Sequence, residues 1–328
     1  FMYDRAMPSD FLSFICDAFG IVPDDLVVGG RYLNLQDLNK LPNPRGKELE
    51  SKPLLPMRIP YLDEIGSVIK AIKKQDVLLH FPYQSFDYLI RLLMEAAFDP
   101  KVDEIKITQY RVAENSAVIN TLISAAQNGK KVTVFVELKA RFDEENNMLT
   151  AEKMTQAGIR IIYSIPGLKV HAKIAIIIRK DTREGLQRKH LAYLSTGNFN
   201  EKTAKIYSDI ALLTAQTELV NDINKVFAIL EGRICEATFS HLLVVRFNMV
   251  PTLIEMIRRE IQHVNEGRKG KIILKMNGLH DKNMINELYN ASEQGVEIEL
   301  IVRGICCLVP DQPYSRNIRI TRSVDMIL

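Results

Sequence analysis

The sequence predicts an α/β fold of two related units, with mixed sheets flanked by helices and the second unit incomplete within these 328 residues. Three observations lead there. From residue 76 onward, strand-like apolar runs alternate with helix-like stretches, the order that produces parallel or mixed sheets. A helical pattern recurs at a constant offset of 166 residues. Prolines at 42, 44, 53, 56 and 60 mark a boundary, because ring-locked φ angles break regular structure. The expected division is 1–53, the tail of a preceding domain plus a Pro-rich linker; 54–240, a first unit; and 241–328, a partial second one.

Each element has its own signal. Asp76–His80 is a short apolar run, and Ser85–Ala97 carries Phe86, Leu89, Ile90, Leu93 and Ala97 at helical spacing. Glu104–Tyr110 alternates as a strand does. Ser116–Asn128 reads as a helix with Asn115 or Ser116 as its N-cap and Gly129 as its stop. Lys131–Glu137 is a β-branched strand, Leu149–Ala157 a helix ended by Gly158, and Ile159–Tyr163 another strand. In the recurring pattern Asn120, Leu122, Ala125 and Gly129 match Asn286, Leu288, Ala291 and Gly295. Strands flank both copies: Glu104–Tyr110 and Lys271–Met276 before them, Lys131–Glu137 and Val296–Val302 after them.

Composition excludes several classes. A hydrophobic share of 47% supports a packed core, and a net charge of +3 is too small to indicate nucleic acid. No apolar run approaches the ~20 residues that cross a bilayer, and the first residues show no secretory pattern. The four cysteines follow neither disulfide nor zinc spacing, which suits reduced thiols in the cytosol.

The chemistry centres on Gly167–Lys173 (GLKVHAK) and the apolar strand Ile174–Ile178. Residues two apart on a strand share a face, so His171 and Lys173 are expected to point the same way, with Ala172 turned into the sheet. An imidazole beside an ammonium suits attack on phosphate: the lysine binds non-bridging oxygens and favours the uncharged, nucleophilic ring. A bare His-x-Lys is common, and the plain alternative is a strand end that happens to be polar. The next strand, His190–Thr196, runs into Ser195–Asn200 (STGNFN), where Gly197 permits close approach and Asn198 and Asn200 are expected on one face. Hydroxyls and amides at a strand end fit phosphate oxygens.

His-x-Lys followed by a Gly-x-x-Asn-type stretch resembles the phospholipase D superfamily, whose members pair two such motifs in one active site. That superfamily places Asp five residues after the Lys, where this chain has Ile178. Polyphosphate kinases share the departure. The chain resembles that family over nearly its whole length, in Asp76–Tyr83 (DVLLHFPY), Tyr110–Ala113 (YRVA), Asn128–Val132 (NGKKV), Val136–Glu145 (VELKARFDEE), Pro166–Lys173 (PGLKVHAK), Thr196–Ala204 (TGNFNEKTA) and Leu300–Gly304 (LIVRG).

The resemblance implies phospholipase D-like units and a reversible phosphotransferase working on ATP, ADP and inorganic polyphosphate. It makes His171 the residue phosphorylated by ATP, with Lys173 beside it. Arg111 and Arg141 match two arginines at the magnesium-phosphate site, and Tyr207 and Arg303 match nucleotide contacts. Asn198 and Asn200 join these as phosphate-binding candidates. A guanidinium has no lone pair for Mg²⁺, so the arginines are expected to hold phosphates, the metal bridging phosphate oxygens and water. Lys130, Lys131, Lys139, Lys169, Lys202 and Lys205 are candidates for a polyanion path. The resemblance also implies a homo-oligomer, and the expected location is the cytoplasm, with free solution and loose attachment to the inner membrane face both left open. Ile159–Ile161 before His171 matches Ile318–Ile320, which puts a second motif histidine near position ~330 and leaves this stretch alone inactive. Two rival readings remain: a phosphodiester hydrolase using the same histidine, and a catalytically silent polyanion-binding module.

Overall fold

The computed structural model describes every residue except 32–37, 39–40, 111–114, 138–143, 164–168, 181–189 and 324–328, together with the backbone alone at 144–146. Two compact units result, Phe1–Pro53 and Leu54–Leu328.

In the first, β1 (Met2–Asp4) and β2 (Val27–Gly29) pair in parallel, joined through α1 (Ser9–Phe19). The helix closes on Gly20, whose φ of +63° is the left-handed conformation that glycine adopts without strain. None of its residues is buried within the described structure.

The second unit opens with α2 (Pro60–Ile65) and α3 (Val68–Lys74), then β3 (Val77–Phe81), α4 (Asp87–Phe98), β4 (Val102–Gln109), α5 (Ala117–Gln127), β5 (Lys131–Val136), α6 (Glu144–Gln156) and β6 (Arg160–Tyr163). It continues with β7 (Lys173–Arg179), β8 (Leu191–Ser195), β9 (Asp209–Thr214) and α7 (Thr217–Leu230). The strands form one sheet in the order β3-β9-β8-β7-β4-β5-β6. Pairing is parallel across β4-β5-β6 and antiparallel elsewhere, the mixed sheet expected. One face, with Ile105, Ile107, Val132, Val134 and Ala175, packs on residues of α3, α4 and α5. The other, with Phe135, Ile174 and Ile176, packs on Val220, Ile223 and Phe227 of α7.

Then α8 (Val250–Asn265), β10 (Lys271–Met276), α9 (Lys282–Glu293), β11 (Glu297–Val302) and β12 (Ile318–Thr321) repeat the α4-to-β6 arrangement with a parallel β10-β11-β12 sheet, except that a short 3-10 turn (Pro313–Ser315) stands where α6 connects β5 to β6. Its core is Ile272, Ile298, Leu300 and Val302 against Ile257, Ile285, Leu288 and Ala291. The register refines the sequence repeat. Ile105 pairs with Val132 and Ile272 with Ile298, so β11 lies 166 residues beyond β5 but β10 lies 167 beyond β4. Thr108 therefore corresponds to Lys275, and Glu137 to Arg303.

Two local expectations change. The α6 helix starts at Glu144 rather than Leu149, because its added turn is polar and shows no apolar period; Asn147 there is buried, its Nδ2 donating to the Tyr110 carbonyl at 3.0 Å. Ala172 does not enter the sheet. β7 begins at Lys173, Ala172 is exposed and Lys173 is buried. The reason is that the β4–β7 ladder ends at Ile107 and Ala175. Beyond it the Thr108 hydroxyl replaces backbone pairing, donating to the Ala172 carbonyl at 2.8 Å and accepting from the Ile174 N–H at 3.1 Å. No helix among the described residues is long and apolar enough to cross a membrane.

Candidate active site

An open cleft of about 610 Å³ lies between the two copies of the repeat, with His171, Lys173, Asn198 and Tyr207 on one side and Lys275 and Arg303 on the other. Four groups hold the histidine in place. Thr108 fixes the peptides on either side of Lys173. The Glu137 carboxylate, buried at the end of β5, accepts the Val170 N–H at 2.9 Å. The Tyr110 ring meets the imidazole edge-on at 4.7 Å. The Lys173 ammonium lies 2.8 Å from Nδ1 and 3.0 Å from Nε2 of His171 and donates to its carbonyl at 2.6 Å. Burying a lysine costs desolvation, and part of that is offset by the Tyr110 ring, whose centroid is 5.1 Å from Nζ. Lys169 lies over the same ring at 5.3 Å. The imidazole is exposed, so the result is a ring fixed from behind and open in front.

The next strand end divides its two asparagines. Asn198 lines the cleft, and its Oδ1 is buried without a hydrogen-bond partner. Asn200 does not share that face. It is buried, and its Oδ1 accepts the N–H groups of Lys202 at 2.9 Å and Thr203 at 3.1 Å, capping the turn that curls the chain back. Glu201 faces away as well, accepting from Ser116 Oγ at 3.0 Å and the Val118 N–H at 3.1 Å at the start of α5. Gly197 is required by packing: a Cβ there would lie 2.6 Å from Asp209 Oδ2.

Across the cleft, the Arg303 guanidinium sits 4.8 Å from the Tyr207 ring centroid and donates to Asn277 Oδ1 at 2.6 Å. Lys275 donates to Ser208 Oγ at 3.0 Å, and Ser208 Oγ lies 3.2 Å from His80 Nε2. Thus His171, Lys173, Asn198, Tyr207 and Arg303 come together in one cleft and Asn200 stands apart from it. Arg111 and Arg141 lie outside the described residues. Sequence reading missed Thr108, Tyr110, Ser208, Asp209, Lys275 and Asn277. The repeat was the available signal for Lys275, once β10 is placed in register with β4.

Among the described residues no group of three or more His, Cys, Asp or Glu could hold a metal by itself. Among the described residues the cleft lining has one carboxylate, Asp209, beside the neutral oxygens of Thr196, Ser208 and Asn277 and the side chain of Asn198, whose buried Oδ1 has no hydrogen-bond partner. That set fits Mg²⁺ carried on phosphate oxygens, which needs only one or two protein carboxylates.

The fold and the cleft define a duplicated α/β protein whose two copies face each other across a cation-bearing site. Two family matches then cover most of the chain: Polyphosphate kinase C-terminal domain 1 over residues 67–236, and Polyphosphate kinase C-terminal domain 2 over residues 242–328. The chain belongs to the polyphosphate kinase family. It is 44% identical over 330 residues to a polyphosphate kinase of Yersinia pestis, with all of this chain and 48% of that protein covered. Against a polyphosphate kinase of Escherichia coli K12 it is 43% identical over 332 residues, covering 48% of that protein. A crystal structure of the polyphosphate kinase from Porphyromonas gingivalis superposes with a TM-score of 0.81 at 54% identity, covering all of this chain and 52% of the other. The chain therefore spans about half the length of the curated relatives it matches.

Proposed function

We propose that the protein containing this chain is a polyphosphate kinase, moving the γ-phosphate of ATP reversibly to inorganic polyphosphate through a phosphohistidine on His171. The observation that carries the reading is the His171 imidazole, exposed to the cleft while Lys173 sits at 2.8 Å from one ring nitrogen, in a family whose members are named for this activity. A ring nitrogen lone pair attacks the γ-phosphorus in line. An N–P bond forms, the bond to the bridging oxygen breaks, and ADP leaves with the electron pair. The terminal oxygen of a polyphosphate chain then attacks the same phosphorus and the N–P bond breaks, returning the free imidazole.

Phosphoryl transfer of this kind needs mainly alignment and charge neutralisation. In this reading Lys173 takes equatorial oxygens, with Tyr207 and Arg303 as nucleotide contacts. Arg111 and Arg141 join them as phosphate clamps on the strength of the family resemblance. Bound Mg²⁺ would supply further charge neutralisation, with Asp209 and Asn198 Oδ1 as the protein oxygens to hold it.

The test is intact-mass and peptide mass spectrometry at neutral-to-basic pH after incubation with ATP and Mg²⁺. An acid-labile phosphate on the His171 peptide, discharged by ADP or polyphosphate and lost in His171→Ala, is expected. A wild-type protein that turns over polyphosphate with no such adduct overturns the intermediate, and diester cleavage without ATP would overturn the reading altogether.

A further inference from the structure

The second copy presents two cations to the cleft in an unusual setting. Lys275 lies near the end of β10, opposite Ile301 of β11 in the parallel register, and Arg303 follows β11. Residues two apart share a face, so Lys275, Asn277, Ile301 and Arg303 lie on the same side of the sheet end, and all line the cleft. Among the described residues neither cation meets a carboxylate. Lys275 has Ser208 Oγ at 3.0 Å, while Arg303 has Asn277 Oδ1 at 2.6 Å and the Tyr207 ring. The other end of the same strand behaves differently: Lys271 lies 2.8 Å from Glu299 and 3.7 Å from Glu297. Two like charges sharing a cleft with only neutral partners are stabilised when an anion enters between them.

The position itself supports this. Lys275 and Arg303 occupy the places that Thr108 and Glu137 hold in the first copy, where a neutral hydroxyl and a carboxylate secure the His171 segment. Exchanging that pair for an ammonium and a guanidinium converts a supporting position into an anion-facing one. Releasing Lys275 is also cheap. Ser208 Oγ lies 3.2 Å from His80 Nε2, so the hydroxyl keeps a partner when the ammonium leaves.

We propose that Lys275 is a phosphate-binding residue of this cleft, its ammonium leaving Ser208 to take a non-bridging oxygen of a polyphosphoryl group beside Arg303. The inference rests on the phosphoryl-transfer reading above and adds a contact from the second copy. The chemistry recognised is a run of linked phosphates, which a nucleotide tail and inorganic polyphosphate share.

The experiment is calorimetric titration of the protein containing this chain with ADP and, separately, with inorganic tripolyphosphate, comparing Lys275→Gln, Lys275→Arg and Ser208→Ala. Lys275→Gln is expected to weaken binding roughly tenfold, about one charge-assisted hydrogen bond, and Lys275→Arg to restore most of it. Loss confined to ADP assigns the contact to the nucleotide, loss confined to tripolyphosphate assigns it to the polymer, and loss of both assigns a shared subsite. Ser208→Ala, which frees the ammonium, is expected to bind no more weakly than wild type. Unchanged affinity of Lys275→Gln for both ligands overturns the proposal, and so does an equal loss in Ser208→Ala, which would make Lys275 only a clasp between the copies. A wild-type protein that binds neither ligand would instead refute the phosphoryl-transfer reading.

Discussion

The two copies of the repeat share a backbone plan and use it oppositely. In the first, both sheet faces are covered, and the ends of β4 and β5 point inward to support the loop that carries His171. Thr108 and Glu137, both buried, do that work. In the second, only one face is covered among the described residues; the other leaves Ile273 59% exposed and lined with surface pairs such as Lys271–Glu299. The strand ends of that open face carry Lys275 and Arg303. One copy thus fixes the His171 imidazole and the other presents cations. The difference lies in what stands against each face, since α7 covers in the first copy the face that is open in the second.

That contrast is easiest to break at Lys106, the first-copy counterpart of Ile273. Its ammonium lies 2.7 Å from Glu231 at the end of α7, with side-chain exposures of 5% and 2%. Glu231→Gln leaves that buried ammonium with only Glu104, 3.8 Å away, and takes the carboxylate from Arg233, so it is expected to cost about 3 kcal/mol, read as a fall in the urea midpoint. The double change Lys106→Ile with Glu231→Leu imitates the second copy and is expected to recover most of that loss. Glu137→Ala comes next. It leaves the Val170 N–H buried without an acceptor, costing about 1–3 kcal/mol, and it frees the segment before His171. Formation of the proposed phosphohistidine should fall further than stability does, while Glu137→Gln, which keeps an acceptor oxygen, retains most of both.

Much of this division was legible in the sequence. Strand and helix positions from β3 to β6 followed from period and punctuation, and the repeat gave the second copy its order. What escaped depended on contacts between distant residues. Lys106 reads as a surface lysine until Glu231, 125 residues away, closes over it. Asn198 and Asn200 look equivalent in STGNFN, but the turn after Phe199 takes one into a cap and leaves the other in the cleft. The one-residue difference between the β10 and β11 offsets hid Lys275 behind Gln109 in a fixed-offset comparison, although Thr108 is its true counterpart. Ala172 falls outside the sheet because a side-chain hydroxyl, not the backbone ladder, holds the chain where β7 begins.

Thr108 offers a finer test of the support role. Thr108→Val keeps the shape and deletes the hydroxyl that serves two peptide groups, for about 2 kcal/mol. The rate of phosphohistidine formation should drop while nucleotide affinity holds. Thr108→Ser should restore the rate, and a Ser variant as slow as Val would limit Thr108 to packing.

The smallest expected effect lies where the first copy hands the chain to the second. Asp222 of α7 accepts the N–H groups of Ser240 at 3.0 Å, His241 at 2.8 Å and Leu242 at 3.3 Å on Oδ2, and Lys225 at 2.8 Å on Oδ1. Burial pushes its carboxyl up, but the Lys225 ammonium and the His241 and Leu242 N–H groups outweigh burial, so the net shift is downward. A carboxylate lowered by folding contributes stability that is fully present above its unfolded value of ~3.9 and is lost as pH falls through the folded value. Asp222→Asn keeps an acceptor oxygen and loses the charge, so at pH 7 it should cost roughly 0.5–1.5 kcal/mol. Below about pH 4 the gap between variant and wild type should close. Urea midpoints at pH 7 and pH 3 measure it: a gap that stays constant with pH would mean the anchor works through shape alone, and the segment into the second copy is then held without charge.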